Sequence, residues 1–150
     1  MRLPCLLAAL LALSCAHSPT PPPGPRPLGH DVNLSRGEAT LGLRFRYEVA
    51  ADRSLALLVE LQSGGSGSVG AVELAVKPEG FVVEGAASWQ GELAPGGRHE
   101  QRFVLRPTTA GVATVTIDHA IVGVLKGDPV VLRFRVDGDD VRPCAASDCE

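Results

Sequence analysis

The chain has 150 residues, 17 of them acidic and 14 basic, with a formal net charge of −3 at pH 7. This length is typical of one domain. Aromatic residues make up only 4% of the chain and no run of lysine or arginine occurs. Together these facts argue against a basic, aromatic-lined surface for nucleic acids, so we expect no nucleic-acid partner.

Residues 1–14 have the pattern of an export signal peptide. Arg2 supplies a positive start, and residues 3–13 are almost entirely apolar. An apolar run of this length is too short to cross a bilayer, which needs about 20 residues. A short apolar run behind one positive charge and followed by small residues is typical of a signal peptide that is removed.

The signal ends in the segment LALSC, residues 11–15, which resembles the lipobox of bacterial lipoproteins. The resemblance implies cleavage before Cys15, a thioether-linked diacylglycerol on its sulfur and acylation, as by palmitate, of the new amine. In lipoproteins an aspartate directly after the lipidated cysteine favours the inner membrane, and the residue at that position here is Ala16. In a cell with two membranes, the resemblance therefore points to the outer membrane, with the protein facing the periplasm. The alternative is cleavage after Ala16, which would release a soluble secreted protein.

Residues 15–35 are predicted to be the lipidated cysteine and a proline-rich tether. Six prolines fall within residues 19–27, and each fixes φ and lacks an N–H donor. Such a segment favours an extended polyproline-II spacer. A PxxP docking site for a partner is the alternative.

Residues 36–138 are predicted to form the folded body, because apolar residues alternate with polar ones at the period of a strand. The pattern favours an all-β, immunoglobulin-like antiparallel sandwich of seven to nine strands, with a small closed barrel as the rival. Residues 63–68 are predicted to be a loop, the segment Pro78-Glu79-Gly80 to end the strand at residues 72–76, and residues 121–125 to be a central strand. The predicted strands cover residues 39–49, 55–61, 72–76, 81–84, 89–93, 101–105, 113–117, 121–125 and 130–136.

A second resemblance covers about residues 53–136. The turn ELAPGG at 92–97 is followed by a strand at 103–105, then by Gly111 and a further strand at 115–117. This order is similar to CARDB-like and adaptin-ear-like immunoglobulin-fold modules. The resemblance implies a non-catalytic adhesion or assembly module.

Little in the chain suggests catalysis. The motifs GxSxG and SxxK are absent, which removes the commonest serine nucleophiles. Asp118 and His119 are adjacent, so on a strand they point to opposite faces and cannot easily act together. Asp137, Asp139 and Asp140 lie in one turn, which could bind calcium or be a solvated turn. We expect no catalytic residue, no metal site and no cofactor.

Residues 139–150 are predicted to be a C-terminal tail that is closed by a disulfide between Cys144 and Cys149. These two cysteines are left once the signal peptide is removed and Cys15 carries the lipid, and an exported protein with two such cysteines usually pairs them. Two free thiols, or half of a metal site, are the alternatives. Outward-facing arginines could form a basic docking face on one sheet. These arginines are Arg44, Arg46, Arg102, Arg133 and Arg135.

The leading hypothesis is a lipid-anchored interaction module, a non-catalytic accessory subunit of a cell-envelope assembly. Its expected partners are the membrane, through the lipid on Cys15, and an envelope protein. A ligand-binding lipoprotein that holds calcium or a small molecule is the second hypothesis. A soluble secreted β-sandwich is the third.

Overall fold

The computed structural model describes residues 24–149, and most of them lie in strands whose apolar side chains alternate with polar ones. Eight of the nine predicted strands are present, and four short strands join them. A 3-10 turn, Ala146–Asp148, precedes Cys149. In chain order the strands are β1 (Arg26–Pro27), β2 (Val32–Arg36), β3 (Ala39–Val49), β4 (Leu55–Gly65), β5 (Gly70–Glu79), β6 (Phe81–Glu84), β7 (Ser88–Leu93), β8 (Arg98–Pro107), β9 (Gly111–Ile121), β10 (Leu125–Lys126), β11 (Val130–Asp137) and β12 (Asp140–Pro143).

The strands form two antiparallel sheets. Sheet I has the order β1-β3-β4-β8-β6, with β2 also beside β3, and sheet II has the order β12-β11-β9-β5-β7, with β10 beside β9. Without β7 and the four short strands, seven strands remain. Numbered along the chain, they have the order 1-2-5-4 in sheet I and 7-6-3 in sheet II, which is the arrangement of a constant-type immunoglobulin domain. The predicted immunoglobulin-like sandwich is therefore confirmed, with β7 added beside β5.

The core lies between the sheets, where every second residue of the long strands points inward. Phe45, Phe103 and Phe134 are among the largest fully buried side chains, and Phe134 makes edge-to-face contacts with Tyr47 and Phe81. The apolar inner positions of the central strands are Leu41, Leu43, Leu55, Leu57, Val59, Leu61, Val72, Leu74, Val76, Val115, Ile117 and Leu132. This apolar layer holds the two sheets together.

The sandwich extends beyond residues 36–138 at both ends. Strands β1 and β2 pair with β3, and Leu34 of β2 packs into the core. Strand β12 pairs with β11 and buries Val141. Residues predicted to be tether and tail thus supply edge strands. Residues 1–23, with the predicted signal peptide, Cys15 and the first part of the tether, lie outside the described residues.

Three local predictions were wrong. Residues 121–125 are not one strand, because β9 ends at Ile121, β10 begins at Leu125 and residues 122–124 form the turn between them. In this turn the Val124 amide donates to the Ile121 carbonyl, and Gly123 supplies the positive φ of 69°. Strand β5 runs through Pro78 to Glu79. Proline is tolerated there because β7 pairs with β5 only as far as Ala75, which leaves the imide nitrogen on an open edge. Residues 63–65 belong to β4 and not to the predicted loop.

The predicted disulfide between Cys144 and Cys149 is present. It closes the tail beside β11, where the Cys144 amide donates to the Arg133 carbonyl. Over residues 24–149, no helix is long and apolar enough to cross a bilayer.

Candidate interaction surfaces

Ion pairs across strands occupy much of the outer face of sheet I. The guanidinium of Arg46 on β3 lies 3.4 Å from the Glu60 carboxylate and 2.5 Å from that of Glu100. The Arg102 guanidinium lies 3.6 Å from the carboxylate of Glu48. Because these strands are neighbours in the order β3-β4-β8, the charges neutralise one another within the protein. This part of the face offers little unpaired charge to a partner.

At the end of the same sheet, Arg106 pairs with the carboxylates of Glu84, at 2.5 Å, and Asp52, at 3.6 Å. The hydrogen bond to Glu84 raises the pKa of Arg106. Hydrogen bonds from Ser54 lower the pKa of the Asp52 carboxyl. Arg106 and Asp52 therefore stay ionised at neutral pH, although exposed ion pairs contribute little stability.

The five predicted arginines do not share one face. Arg44 and Arg46 lie on β3, and Arg102 lies on β8, all in sheet I. Arg133 and Arg135 lie on β11, in sheet II. The expectation of a single basic face on one sheet is therefore wrong, because the chain crosses between the two sheets before it reaches β11.

The outer face of sheet II combines exposed valines with arginine. Val112 on β9 and Val131 on β11 are each 42% exposed. Arg135 lies directly opposite Val112 and donates to the Asp148 carbonyl at 2.8 Å. Arg133 makes no ion pair or side-chain hydrogen bond with the residues that the structure describes. We call this surface the valine–arginine patch; it comprises Val112, Thr114, Thr116, Val131, Arg133 and Arg135.

Sequence reasoning identified the two arginines of this patch but missed its valines. Val112 and Val131 occupy outward positions of their strands, next to the inward Ala113 and Leu132. The signal that could have revealed them is a valine at a strand position where the alternation of side chains predicts a residue that faces solvent. Apolar side chains with arginine at such positions are typical of protein interfaces.

The adjacent Asp118 and His119 point to opposite faces of β9, as predicted. The Asp118 carboxylate faces outward and lies 2.5 Å from the Lys77 ammonium, which lowers its pKa. His119 faces the core, and within residues 24–149 no group is placed to make a well-aligned hydrogen bond with either ring nitrogen. Burial lowers the pKa of His119, while the Ile117 carbonyl and nearby carboxylates oppose the shift. The two side chains therefore do not form a catalytic pair.

The turn that contains Asp137, Asp139 and Asp140 already holds a positive charge, the guanidinium of Arg142. Arg142 lies 3.4 Å from the Asp137 carboxylate and 3.2 Å from that of Asp140. Within residues 24–149, no group of three or more histidine, cysteine, aspartate or glutamate side chains is arranged to hold a metal ion. Calcium at this turn would have to displace Arg142.

Trp89 of β7 is half-buried at one side of the sandwich. Its indole stacks on the His99 imidazole with ring centroids 4.3 Å apart and an interplanar angle of 11°. Trp89 comes from sheet II and His99 from sheet I, so the stack bridges the two sheets where β7 and the first half of β8 form open edges. This contact indicates a structural role.

No protein family model matches the chain, and no curated protein matches it.

Proposed function

We propose that the protein is a non-catalytic interaction module that is anchored in the cell envelope by a lipid on Cys15. The proposal rests on three features: the LALSC segment, the two-sheet fold and the contrast between the outer faces of the sheets. On sheet I most charges are paired within the protein, whereas on sheet II Arg133 has no ion-pair partner among residues 24–149 and lies beside exposed valines. That contrast is the observation that carries the proposal.

The docking surface is the valine–arginine patch, and its partner is a protein that presents carboxylates beside apolar side chains. Arginine forms bidentate hydrogen bonds with carboxylates. The Val112 and Val131 side chains supply apolar area that a partner would remove from water. Thr114 and Thr116 follow Val112 on the outward side of β9, opposite Arg133 and Val131.

The anchor is tested with Cys15→Ala in the full-length chain. The wild type should fractionate with membranes and gain the mass of its acyl chains. The variant should lack that mass and leave the membrane fraction. A wild type that is soluble and unlipidated would favour cleavage after Ala16, and thus the secreted alternative.

The patch is tested by cross-linking in gently solubilised membranes. Val131→Asp should abolish a cross-linked complex, because the new carboxylate replaces apolar contact area, competes for Arg133 and repels the carboxylates of the partner. Val82→Asp is the matched control, because Val82 is 50% exposed on β6 of sheet I. A complex that survives Val131→Asp, or that both variants disrupt equally, would argue against the patch.

A further inference from the structure

A polar cleft lies on the outer face of sheet I, where β2, β3 and β4 run side by side. Asn33 lies opposite Gly42, and Gly42 lies opposite Gln62. In the next row of the same face, Thr40 lies opposite Gly64. The cleft has a volume of about 220 Å³. It is distinct from the ion-paired part of this sheet and from the valine–arginine patch on sheet II.

Two glycines form the floor of the cleft. A Cβ atom at position 42 would lie 3.3 Å from the Asn33 side-chain oxygen, and a Cβ atom at position 64 would lie 2.5 Å from the Thr40 hydroxyl. Any side chain at these positions would therefore fill the space between Asn33, Thr40 and Gln62. The glycines create a concave surface on a face where a pleated sheet otherwise carries side chains.

The side chains around this floor are polar and lack partners. Glu60 at the rim contacts Arg46 at 3.4 Å, but the remaining polar residues make no side-chain hydrogen bond or ion pair with any residue from 24 to 149. The contrast with Arg46, Arg102 and Arg106 on the same sheet is sharp, because each of those has a carboxylate partner. The unpartnered residues are Asp31, Asn33, Thr40, Arg44 and Gln62.

We propose that this cleft binds a small uncharged ligand that carries both hydroxyl and amide groups, the chemistry of an acetamido sugar. Two carboxamides, a hydroxyl, a guanidinium and a carboxylate together supply donors and acceptors. Asp31 and Arg44 have opposite charges and the Glu60 carboxylate at the rim is paired with Arg46, so the cleft favours neither an anion nor a cation.

The lining also argues against a peptide. Peptide-binding grooves usually add pockets for apolar side chains to main-chain hydrogen bonds. Leu43, the one large apolar residue that lines the cleft, points to the core and is 0% exposed. Since no aromatic ring is present for stacking, the affinity rests on hydrogen bonds in an open site, and we expect a Kd on the order of millimolar.

The test is an NMR titration of the lipidated mature chain in detergent, labelled with ¹⁵N-glycine. N-Acetylglucosamine should shift the amide signals of Gly42 and Gly64 in a saturable way. Glucose, which lacks the amide, and N-acetylalanine methylamide, which lacks the hydroxyls, should each bind at least about threefold more weakly. Preference for the alanine amide would overturn the sugar assignment, and no shift with any probe would overturn the site.

The variant Gly42→Val tests whether the sugar binds in the cleft or at another surface of the protein. Residue 42 lies inside β3 without a positive φ, so valine fits the strand and should preserve the fold. The variant should weaken N-acetylglucosamine binding at least tenfold, read from the Gly64 signal. Ala75→Val, which enlarges an outward residue of β5 in sheet II, should bind like the wild type. Equal binding by Gly42→Val and the wild type would overturn the proposal, whatever the outcome for the patch.

Discussion

His119 is an unusual residue of the sandwich, since it is 1% exposed and its ring nitrogens make no well-aligned hydrogen bond with any residue from 24 to 149. Burial keeps its pKa below the ordinary value of 6.5. As the pH falls below about 6.5 the unfolded chain therefore binds a proton before the folded chain does. The tendency of His119 to bind a proton therefore costs no stability above that pH, and the folded state loses stability as the pH falls towards the folded pKa.

We therefore expect His119→Leu to weaken the loss of stability between pH 6.5 and pH 5. At pH 7.5 the variant should be more stable by about 1 kcal/mol, because it removes a buried polar group without partners. Urea denaturation at several pH values measures both effects. His99→Gln is the control and should retain the acid-induced loss, because His119 is still present. An unchanged pH profile in His119→Leu would contradict the assignment.

Gly127 is the neighbour that makes room for this histidine. Its amide donates to the His119 carbonyl at 3.0 Å, and a Cβ atom there would overlap the imidazole ring. We expect Gly127→Ala to cost about 1–3 kcal/mol through overpacking. In a His119→Val background the same change should cost little, so a double-mutant cycle reveals the coupling. Additive free energies of unfolding would mean that the ring and residue 127 do not compete for space.

At the scale of the strand, β4 is buried on both faces over part of its length. Leu58 points to the outer face of sheet I and is only 4% exposed. Arg46 and Arg102 lie directly opposite it on the neighbouring strands. Their aliphatic stems can cover the leucine while the guanidinium groups reach the carboxylates at the surface.

This arrangement predicts that Arg102 stabilises β4 by packing more than by charge. Arg102→Met should change the free energy of unfolding by less than about 0.5 kcal/mol, since exposed ion pairs contribute little. Arg102→Ala should cost about 1 kcal/mol, because Leu58 becomes exposed to water. Chemical denaturation of the two variants compares these costs, and equal costs would assign the effect to the ion pair with Glu48.

Alternation of side chains was sufficient to predict the long strands but not the short ones. The pattern over residues 39–49 is long enough to define a period of two, and β3 has those bounds. Strands β1 and β10 have only two residues each, which is too short for any periodicity. Residues 121–125 misled the prediction because an exposed turn with Val122 and Val124, each 43% exposed, resembles a buried strand in sequence.

The candidate sites were harder to predict for a related reason. The sequence marked the arginines as outward-facing but could not assign them to sheets, because sheet membership depends on long-range pairing. The cleft brings β2 next to β3 and β4, yet β2 was predicted to belong to the tether. Its glycine floor was therefore invisible until the register of Asn33, Gly42 and Gln62 was known.

The C-terminal disulfide is a local constraint on an edge of the sandwich. Cys144 and Cys149 are only five positions apart, and a loop this short removes little entropy from the unfolded chain. The double variant Cys144→Ser/Cys149→Ser should therefore lose at most about 2 kcal/mol. It should keep a single cooperative transition in thermal denaturation. Failure of the double variant to fold would mean that the tail is part of the core structure.

For the whole molecule, the important relation is where the chain enters the sandwich. Arg26 lies opposite Tyr47, near the end of β3, and Gly24 lines the same surface depression as Val49 and Arg142. The β3–β4 and β11–β12 turns lie at this entry end. The β4–β5 and β7–β8 connections lie at the opposite end, where Gly70 pairs with Leu93. Strands of eleven residues, such as β3, separate the ends by about 35 Å.

If Cys15 carries the lipid, the entry end must face the membrane more closely than the opposite end. Ala51, in the β3–β4 turn, and Ala94, in the β7–β8 turn, are both exposed and provide matched positions for a fluorophore. In a Cys144→Ser/Cys149→Ser background, label on Ala51→Cys should transfer energy to acceptor lipids more efficiently than label on Ala94→Cys. The difference should disappear when Cys15 is replaced by alanine, because the released domain has no fixed end towards the bilayer. Equal transfer in the lipidated chain would mean that the sandwich has no preferred end towards the membrane, which would leave surfaces at either end equally accessible to a partner.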